Sequence, residues 1–269
     1  MSTITLPKLH ALKAQQQRFA TITAYDATFA QVVAQSGIEC LLVGDSLGNV
    51  IQGQQTTVPV TMKHMCYHMQ CVREGLKSSE SQPFLIADLP YMAYATKEQT
   101  LKNATRLMQS GAQMVKVEGG DWLADTISAL TERGINVCGH LGLTPQSVDS
   151  LGGFKVQGRE QAAAEKLLAD AKALEQAGAG LIVLECIPTE LGRQVTQAVS
   201  VPVIGIGAGP YTDSQVLVLY DMLGLNTGHL PRFVKNYMDN QSNGILEALK
   251  SYHSDVVNGF FPAAEHCYD

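Results

Sequence analysis

The stretch Leu181-Ile182-Val183-Leu184-Glu185 consists of four apolar residues followed by a carboxylate. A short run of this kind is typical of a strand that is buried on both faces of a parallel sheet. Other apolar runs in the chain have the same form, and each ends in a charged or hydrogen-bonding residue or in a glycine-rich loop. They are residues 38–45, 84–88, 114–118, 135–140 and 203–209.

Helical patterns separate these runs, and a regular alternation of strand and helix favours a parallel sheet. Strands are predicted at 19–25, 39–43, 84–87, 113–117, 136–139, 180–184, 202–206 and 215–223. About eight strands are typical of a (β/α)8 TIM barrel, which we expect as one domain over residues 1–269. The alternative is a doubly wound open sheet, but there the glycine-rich loop would follow the first strand.

The predicted helices lie between these strands and at the two ends of the chain. An N-terminal helix is expected at 6–16, and extra C-terminal helices at 231–238 and 243–257. Thr61 is a plausible N-cap for one of the connecting helices. The connecting helices are predicted at 27–35, 61–75, 97–110, 121–133, 159–176 and 189–198.

Composition limits the partners and the location. The chain has 269 residues, 45% of them hydrophobic, and a net charge of -6 without any Lys/Arg cluster, so we expect no nucleic acid. No apolar stretch is long enough to cross a bilayer, and the N-terminus lacks the features of a signal peptide. Six cysteines without a C-x-x-C pair favour a reducing compartment, and we predict a cytoplasmic protein.

Two aspartates follow neighbouring predicted strands. Asp45 lies in Gly44-Asp45-Ser46-Leu47-Gly48, and Asp88 ends the run at 84–88. The carboxyl ends of barrel strands meet at one mouth, so these carboxylates are predicted to lie close together. Such a pair suits a hard cation such as Mg²⁺. The alternatives are a turn cap at Asp45 and a structural salt bridge at Asp88.

Lys116 and Glu118 are two residues apart in one strand, so both side chains are predicted to point toward the mouth. Val115 and Val117 would then point toward the helices. Lys116 could neutralise a substrate carboxylate or enolate oxygen, and Glu118 could hold a metal directly or through water. A purely structural Lys–Glu pair is the alternative.

His140 and Glu185 end two further strands. A carboxylate that follows so apolar a run as 181–184 is poorly solvated and suits a general base, although a buried, paired glutamate is the alternative. His140 is either a catalytic residue or a hydrogen-bonded structural one. The glycine loop at 205–209 either binds phosphate or merely packs. Cys186 is expected to pack as a small hydrophobe.

Several segments, in this order, resemble the ketopantoate hydroxymethyltransferase family. The resemblance runs from about residue 19 to the C-terminus. One difference is Ser214, where the family often has glycine. The matching segments are TAYD at 23–26, GDSLG at 44–48, ADLP at 87–90, VKVEGG at 115–120, CGHLGLTPQ at 138–146 and GIGAG at 205–209.

The resemblance implies a (β/α)8 barrel that transfers a hydroxymethyl group from 5,10-methylenetetrahydrofolate to 3-methyl-2-oxobutanoate. The product would be ketopantoate, in the first step of pantothenate and coenzyme A synthesis. It further implies a cytoplasmic homo-oligomer, typically a decamer, and Mg²⁺ or another divalent cation. The residues are then assigned as Glu185 for the catalytic base, Asp45, Ser46, Asp88, Lys116 and His140 for substrate, and Asp45, Asp88 and Glu118 for metal.

Three other functions stay open at this point. A Mg²⁺-dependent carbon–carbon lyase or mutase of the phosphoenolpyruvate mutase and isocitrate lyase type would share the barrel and the carboxylates. However, the long loops at 44–59 and 141–157 lack the reactive cysteine that such enzymes often use. A phosphosugar isomerase or aldolase would use the glycine loop. An inactive oligomeric scaffold is the non-enzymatic alternative.

Overall fold

The computed structural model describes residues 2–226, 228, 230–239 and 244–269. Within these residues, eight parallel strands close into a barrel, which confirms the predicted fold. Each strand pairs with the next along the chain, and β8 pairs with β1 through Ser214 opposite Phe19. The barrel strands are β1 Phe19–Thr23, β2 Cys40–Val43, β3 Phe84–Asp88, β4 Met114–Glu118, β5 Val137–Gly142, β6 Leu181–Glu185, β7 Val203–Ile206 and β8 Ser214–Leu217.

Helices surround the barrel. Thr61 caps α4 by accepting a hydrogen bond from the His64 N–H, as its position predicts. None of the described helices is long and apolar enough to cross a membrane. The helices are α1 Leu6–Ala14, α2 Ala27–Ser36, α3 Leu47–Val50, α4 Met62–Leu76, α5 Lys97–Gln109, α6 Ala124–Thr131, α7 Gln161–Gln176, α8 Thr189–Ala198, α9 Leu219–Met222 and α10 Ile245–Asn258.

The apolar residues form two clusters that the strand alternation separates. Val115 and Val117 point outward and pack in the layer between strands and helices, as the period of two predicts. Met114 points inward and packs with the residues that fill the lower barrel. Leu9 of α1 belongs to this inner cluster, so the N-terminal helix closes the bottom of the barrel. The charged strand ends lie at the opposite, C-terminal end.

Two predicted elements near the C-terminus are wrong. The predicted strand 215–223 is the shorter β8 followed by α9, because the chain turns where the Leu219 N–H donates to Thr23 Oγ1 at 2.9 Å. Residues 231–238 form turns and bends instead of a helix. Arg232 donates to the Glu265 carbonyl, and Lys235 donates to the Asp255 carboxylate of α10. The second C-terminal helix is confirmed as α10, with its predicted start at Asn243 outside the described residues.

Smaller differences affect element ends and one loop. The predicted helix 121–133 is a 3-10 turn followed by α6, and the loop 44–59 contains the short α3. All six cysteines are free thiols. Ser214 is fully buried, and its hydroxyl shares a hydrogen bond with Thr21 Oγ1, so it fits between β8 and β1 without a gap. The assignment of residues 1–269 to one domain stays a prediction.

Candidate active site

One cavity of about 1080 Å³ opens at the C-terminal mouth of the barrel. The sequence-predicted site residues all line it, although they come from five different strand ends. The arrangement follows from the strand pattern, because the last residue of each parallel strand reaches the same end of the barrel. The residues that meet there are Asp45, Ser46, Asp88, Lys116, Glu118, His140 and Glu185.

Asp45 and Asp88 form a buried pair on neighbouring strands. The Asp45 N–H donates to Asp88 Oδ2 at 3.0 Å, so the turn after β2 is tied to the end of β3. Burial raises the pKa of both carboxyls above the ordinary range, and Asp88 raises that of Asp45 further. A Cβ at Gly44 would lie 2.8 Å from Ser46 Oγ, so the glycine permits the close approach that the sequence predicts.

Lys116 is the buried cation of the site. Its Nζ lies 3.3 Å from Asp88 Oδ1 and 3.3 Å from Glu118 Oε1, and only 3% of the residue is exposed. Burial alone would lower the pKa of this ammonium, but the surrounding carboxylates raise it well above its usual range. For the Glu118 carboxyl, burial would raise the pKa, but Lys116 and His140 lower it to about 2. Both groups therefore stay charged at neutral pH.

His140 links this ion pair to Glu185. The Lys116 ammonium donates to His140 Nδ1 at 3.0 Å, and Nδ1 also lies 3.1 Å from Glu118 Oε1. Nε2 lies 3.2 Å from Glu185 Oε2, but the angles do not make a hydrogen bond. Burial and Lys116 lower the pKa of the imidazole, whereas Glu118 and Glu185 outweigh them and raise it. A proton on Nε2 therefore faces the Glu185 carboxylate when Nδ1 accepts from Lys116.

Glu185 is the most accessible of the charged groups, with 14% of its side chain exposed. It is therefore less deeply buried than its apolar run predicts, because the carboxylate reaches past the end of β6 into the cavity. Cys186 follows it with a positive φ of 46°, a conformation that turns the chain sharply out of the strand. Burial raises the pKa of the Cys186 thiol, which fits the predicted packing role.

Gln146 is a residue whose role in the site the sequence did not indicate. Its Nε2 donates to Asp45 Oδ2 at 2.8 Å, and its backbone N–H donates to Glu118 Oε2 at 3.1 Å. Its Oε1 accepts a hydrogen bond of 2.6 Å from Tyr94. Gln146 thus holds two carboxylates from different strands at a fixed distance. The sequence signals were its place in the long loop 141–157 and at the end of the segment at 138–146 that carries the family resemblance.

Thr57 is a second residue of the site that the sequence did not indicate. It lies in the loop after β2, lines the cavity and is 4% exposed. Its Oγ1 is buried and has no hydrogen-bond partner among the described residues. Asp88 Oδ1 and His140 Nε2 are likewise buried without a hydrogen bond, although each lies within 3.3 Å of a charged partner, and these atoms of the described residues all belong to side chains that line this cavity. Unsatisfied buried polar atoms are costly in a folded protein, which points to a ligand that satisfies them.

The fit of the site to a divalent cation is limited to the aspartate pair. Among the described residues, no three His, Cys, Asp or Glu side chains are arranged as a complete metal site. Asp88 Oδ1 is nevertheless free of hydrogen bonds, and Asp45 uses only Oδ2 to bind Gln146. Two carboxylates with free oxygens suit Mg²⁺, which takes its remaining ligands from water and substrate. Glu118 already uses both oxygens within the protein.

The glycine loop at 205–209 packs rather than binds. A Cβ at Gly207 would meet Phe233 and Tyr268, and one at Gly209 would meet Thr189. None of the loop's glycines is among the described residues that line the cavity. The packing interpretation of this loop therefore stands, and the phosphosugar alternative loses its main support.

A closed parallel barrel with its ionisable groups gathered at one mouth defines a (β/α)8-barrel enzyme. The match to known families makes the assignment more specific. The chain belongs to the ketopantoate hydroxymethyltransferase family, whose model it matches over residues 3–264. It is accordingly a hydroxymethyltransferase, and the resemblance predicted from the sequence is confirmed.

Full-length relatives agree with this assignment. A 3-methyl-2-oxobutanoate hydroxymethyltransferase of Shewanella sediminis is 54% identical over 269 residues, which cover 100% of both chains. The enzyme of that name from Yersinia enterocolitica is 53% identical over 268 residues, again with full coverage. A scaffold without activity and a phosphosugar enzyme are not supported by such relatives.

Similar solved structures show the fold alone. A putative phosphonomutase from Burkholderia cenocepacia has a TM-score of 0.62 at 17% identity, covering 82% of this chain and 95% of that chain. A 2,3-dimethylmalate lyase, described as a member of the PEP mutase/isocitrate lyase superfamily, has a TM-score of 0.57 at 18% identity, covering 95% and 98%. The barrel is shared with these two proteins, whereas the family of this chain is that of the hydroxymethyltransferases.

Proposed function

We propose that this chain transfers a hydroxymethyl group from 5,10-methylenetetrahydrofolate to C3 of 3-methyl-2-oxobutanoate, giving ketopantoate for pantothenate synthesis. The observation that carries the proposal is that one cavity holds a charged cluster on one side and a separate carboxylate on the other. Asp45, Asp88 and Lys116 lie together at the ends of β2 to β4, whereas Glu185 reaches in from β6. One side can hold the charged end of a keto acid while the other faces its carbon chain.

Asp45 and Asp88 are the residues that we expect to hold Mg²⁺, because they are neighbours at the ends of β2 and β3 and each keeps one carboxylate oxygen without a hydrogen bond from a described residue. When bound, the cation supplies Lewis-acid stabilisation of negative charge on a keto-acid oxygen. Glu118 contributes through water or by fixing Lys116 and Gln146, since both of its oxygens are occupied. Other divalent cations remain candidates for the same pair of ligands.

Lys116 provides positive charge where the keto acid becomes more negative. Its raised pKa keeps it an ammonium, and its contacts to Asp88 and Glu118 hold it at the floor of the cavity. A fixed charge in a water-poor site stabilises developing negative charge without rearrangement during the reaction. Ser46, whose hydroxyl shares a 2.8 Å hydrogen bond with Tyr25, is placed to donate to the same substrate group.

Glu185 is the proposed general base. It takes the proton from C3, and the electron pair left on C3 forms the new bond to the methylene carbon of the folate. The methylene carbon is bonded to N5 and N10 of the folate, and both bonds break with their electron pairs staying on the nitrogens. The oxygen of one water becomes the hydroxyl oxygen of the product, the two water protons go to N5 and N10, and the proton removed from C3 goes to that hydroxyl oxygen. His140 lies beside this carboxylate, with Nε2 3.2 Å from Glu185 Oε2.

The assay that tests the proposal combines the chain with 3-methyl-2-oxobutanoate, methylenetetrahydrofolate and Mg²⁺. Ketopantoate formation that a chelator abolishes and Mg²⁺ restores is the expected result. Keto-acid binding without product would contradict the proposed reaction, and product formation unaffected by chelation would contradict the metal assignment. A homodecamer and a cytoplasmic location stay predictions, and sedimentation velocity of the purified chain checks the first.

A further inference from the structure

The cavity contains a carboxylate that the proposed reaction does not use. Asp221 lies in α9, directly after β8, and lines the cavity with 8% of the residue exposed. Its Oδ1 accepts a hydrogen bond of 3.0 Å from Asn226 Nδ2. No described residue donates a hydrogen bond to Oδ2. The group therefore keeps acceptor capacity on the cavity side.

The surroundings of Asp221 differ from those of the Asp45 and Asp88 pair. Its part of the mouth is formed by β7, β8 and the segments that follow them, and the lining there is mostly apolar. Arg232 also lines this side, and its guanidinium donates to the Glu265 carbonyl, while burial raises the pKa of the Asp221 carboxyl. The lining residues on this side include Val216, Leu217, Val218, Leu225, Phe233 and Tyr268.

Tyr25 is buried and contacts a lining residue from each of the two parts of the cavity. Its hydroxyl shares a hydrogen bond with Ser46 Oγ, and its ring lies 6.0 Å from that of Tyr220, the residue before Asp221. The negative charges of Asp221 and Asp88 both contribute to its raised pKa, so both lie within electrostatic reach of one side chain. The part of the cavity with Asp45 and Asp88 and the part with Asp221 are therefore neighbours in one cavity.

The size of the cavity leaves room for a second ligand. Pockets of roughly 300–1,000 Å³ hold drug-sized molecules. The cavity of about 1080 Å³ is therefore far larger than a five-carbon keto acid needs. The space beyond the keto acid is the apolar side that contains Asp221. A flat molecule with apolar faces and a few N–H donors at one edge matches such walls.

We propose that Asp221 binds the 2-amino-4-oxopyrimidine edge of the pterin ring of the one-carbon donor. The inference rests on the proposed function, which supplies a tetrahydrofolate as co-substrate. The ring N3–H and the 2-amino group are parallel donors, and a carboxylate accepts such a pair through its two oxygens. Asn226, which also lines the cavity, fixes the carboxylate by donating to Oδ1, and the apolar side chains cover the ring faces.

The test is calorimetric titration of the purified enzyme with tetrahydrofolate. Asp221→Asn keeps the shape and removes the charge, and we expect its Kd for tetrahydrofolate to rise about 10- to 100-fold, the size of a lost charge-assisted hydrogen bond. The Kd for 6-methyltetrahydropterin should rise by a similar factor, whereas that for p-aminobenzoylglutamate should not change. Exchange of the C3 proton of 3-methyl-2-oxobutanoate should continue at the wild-type rate.

Asn226→Ala is the matched control, because it removes the partner of Asp221 and keeps the carboxylate. A merely structural role predicts that both variants lose affinity alike, whereas recognition predicts that Asn226→Ala retains most of it. If Asp221→Asn does not fold, wild-type enzyme titrated with 2-desaminotetrahydrofolate should show the same weakening. Unchanged Kd values in these titrations would overturn the inference.

Failure of this inference and failure of the proposed function give different results. If the wild-type enzyme forms no ketopantoate, the proposed function is wrong. If it forms ketopantoate while Asp221→Asn binds tetrahydrofolate as wild type does, only the role of Asp221 is wrong. For Asp221→Asn we further expect a raised KM for the folate donor. Its kcat at saturating donor and its KM for the keto acid should stay near the wild-type values.

Discussion

Replacement of Lys116 by methionine tests whether the charges at the barrel mouth depend on one another. Methionine fills similar space, so the main loss is the ammonium that lies 3.3 Å from both Asp88 and Glu118. Removing one partner of a buried ion pair costs about 3–5 kcal/mol, because the remaining charge stays buried. Three buried carboxylates then share the site with no buried lysine. For a domain of this size the loss corresponds to roughly 6–20 °C in Tm.

The assay is urea unfolding of Lys116→Met at fixed protein concentration, with and without Mg²⁺. Lys102→Met, a change of an exposed lysine on α5, is the control and should stay within about 0.5 kcal/mol of wild type. Mg²⁺ should stabilise Lys116→Met more than it stabilises wild type, because the cation then meets one more uncompensated negative charge. A variant as stable as wild type without Mg²⁺ would refute this account of the buried charges.

Two other changes test how the site is built. Gly142→Ala should lower the unfolding free energy by more than Gly134→Ala does, and it should slow exchange of the C3 proton. Both glycines have a positive φ, but only at Gly142 would a Cβ collide with the Glu185 carbonyl. Equal losses of stability would show that the collision is relieved. Thr57→Val should leave the unfolding free energy unchanged or higher, since the hydroxyl has no partner, while KM for one of the substrates rises. A loss of more than about 1 kcal/mol would mean that the hydroxyl is satisfied within the fold.

The strand-end residues were predictable because burial and strand geometry act together. An apolar run that is buried on both faces leaves a polar side chain nowhere to lie except at the end of the strand. The period of two then placed Lys116 and Glu118 on the same side, and the structure brings them to 3.3 Å. The closure of the barrel followed from the strand number.

The contributions of the loops were not predictable in this way. Gln146 and Thr57 lie in segments without a hydrophobic period, so no pattern indicates which side chains turn inward. The end of β8 was misjudged because Leu219 and Met222 are buried in α9, and an apolar run that short fits a strand or a helix. Residues 231–238 have polar groups whose partners lie far along the chain, and local sequence does not reveal such contacts.

The proposed base is tested most directly by proton exchange at C3 of 3-methyl-2-oxobutanoate in D₂O, in the presence of Mg²⁺ and without folate. Glu185→Gln should bind Mg²⁺ and the keto acid with near wild-type Kd and lose exchange by about 10²- to 10⁴-fold, the usual contribution of a general base. Glu190→Gln, a change on the exposed side of α8, should exchange normally. Wild-type exchange in Glu185→Gln, with the keto acid bound, would show that another group removes the proton.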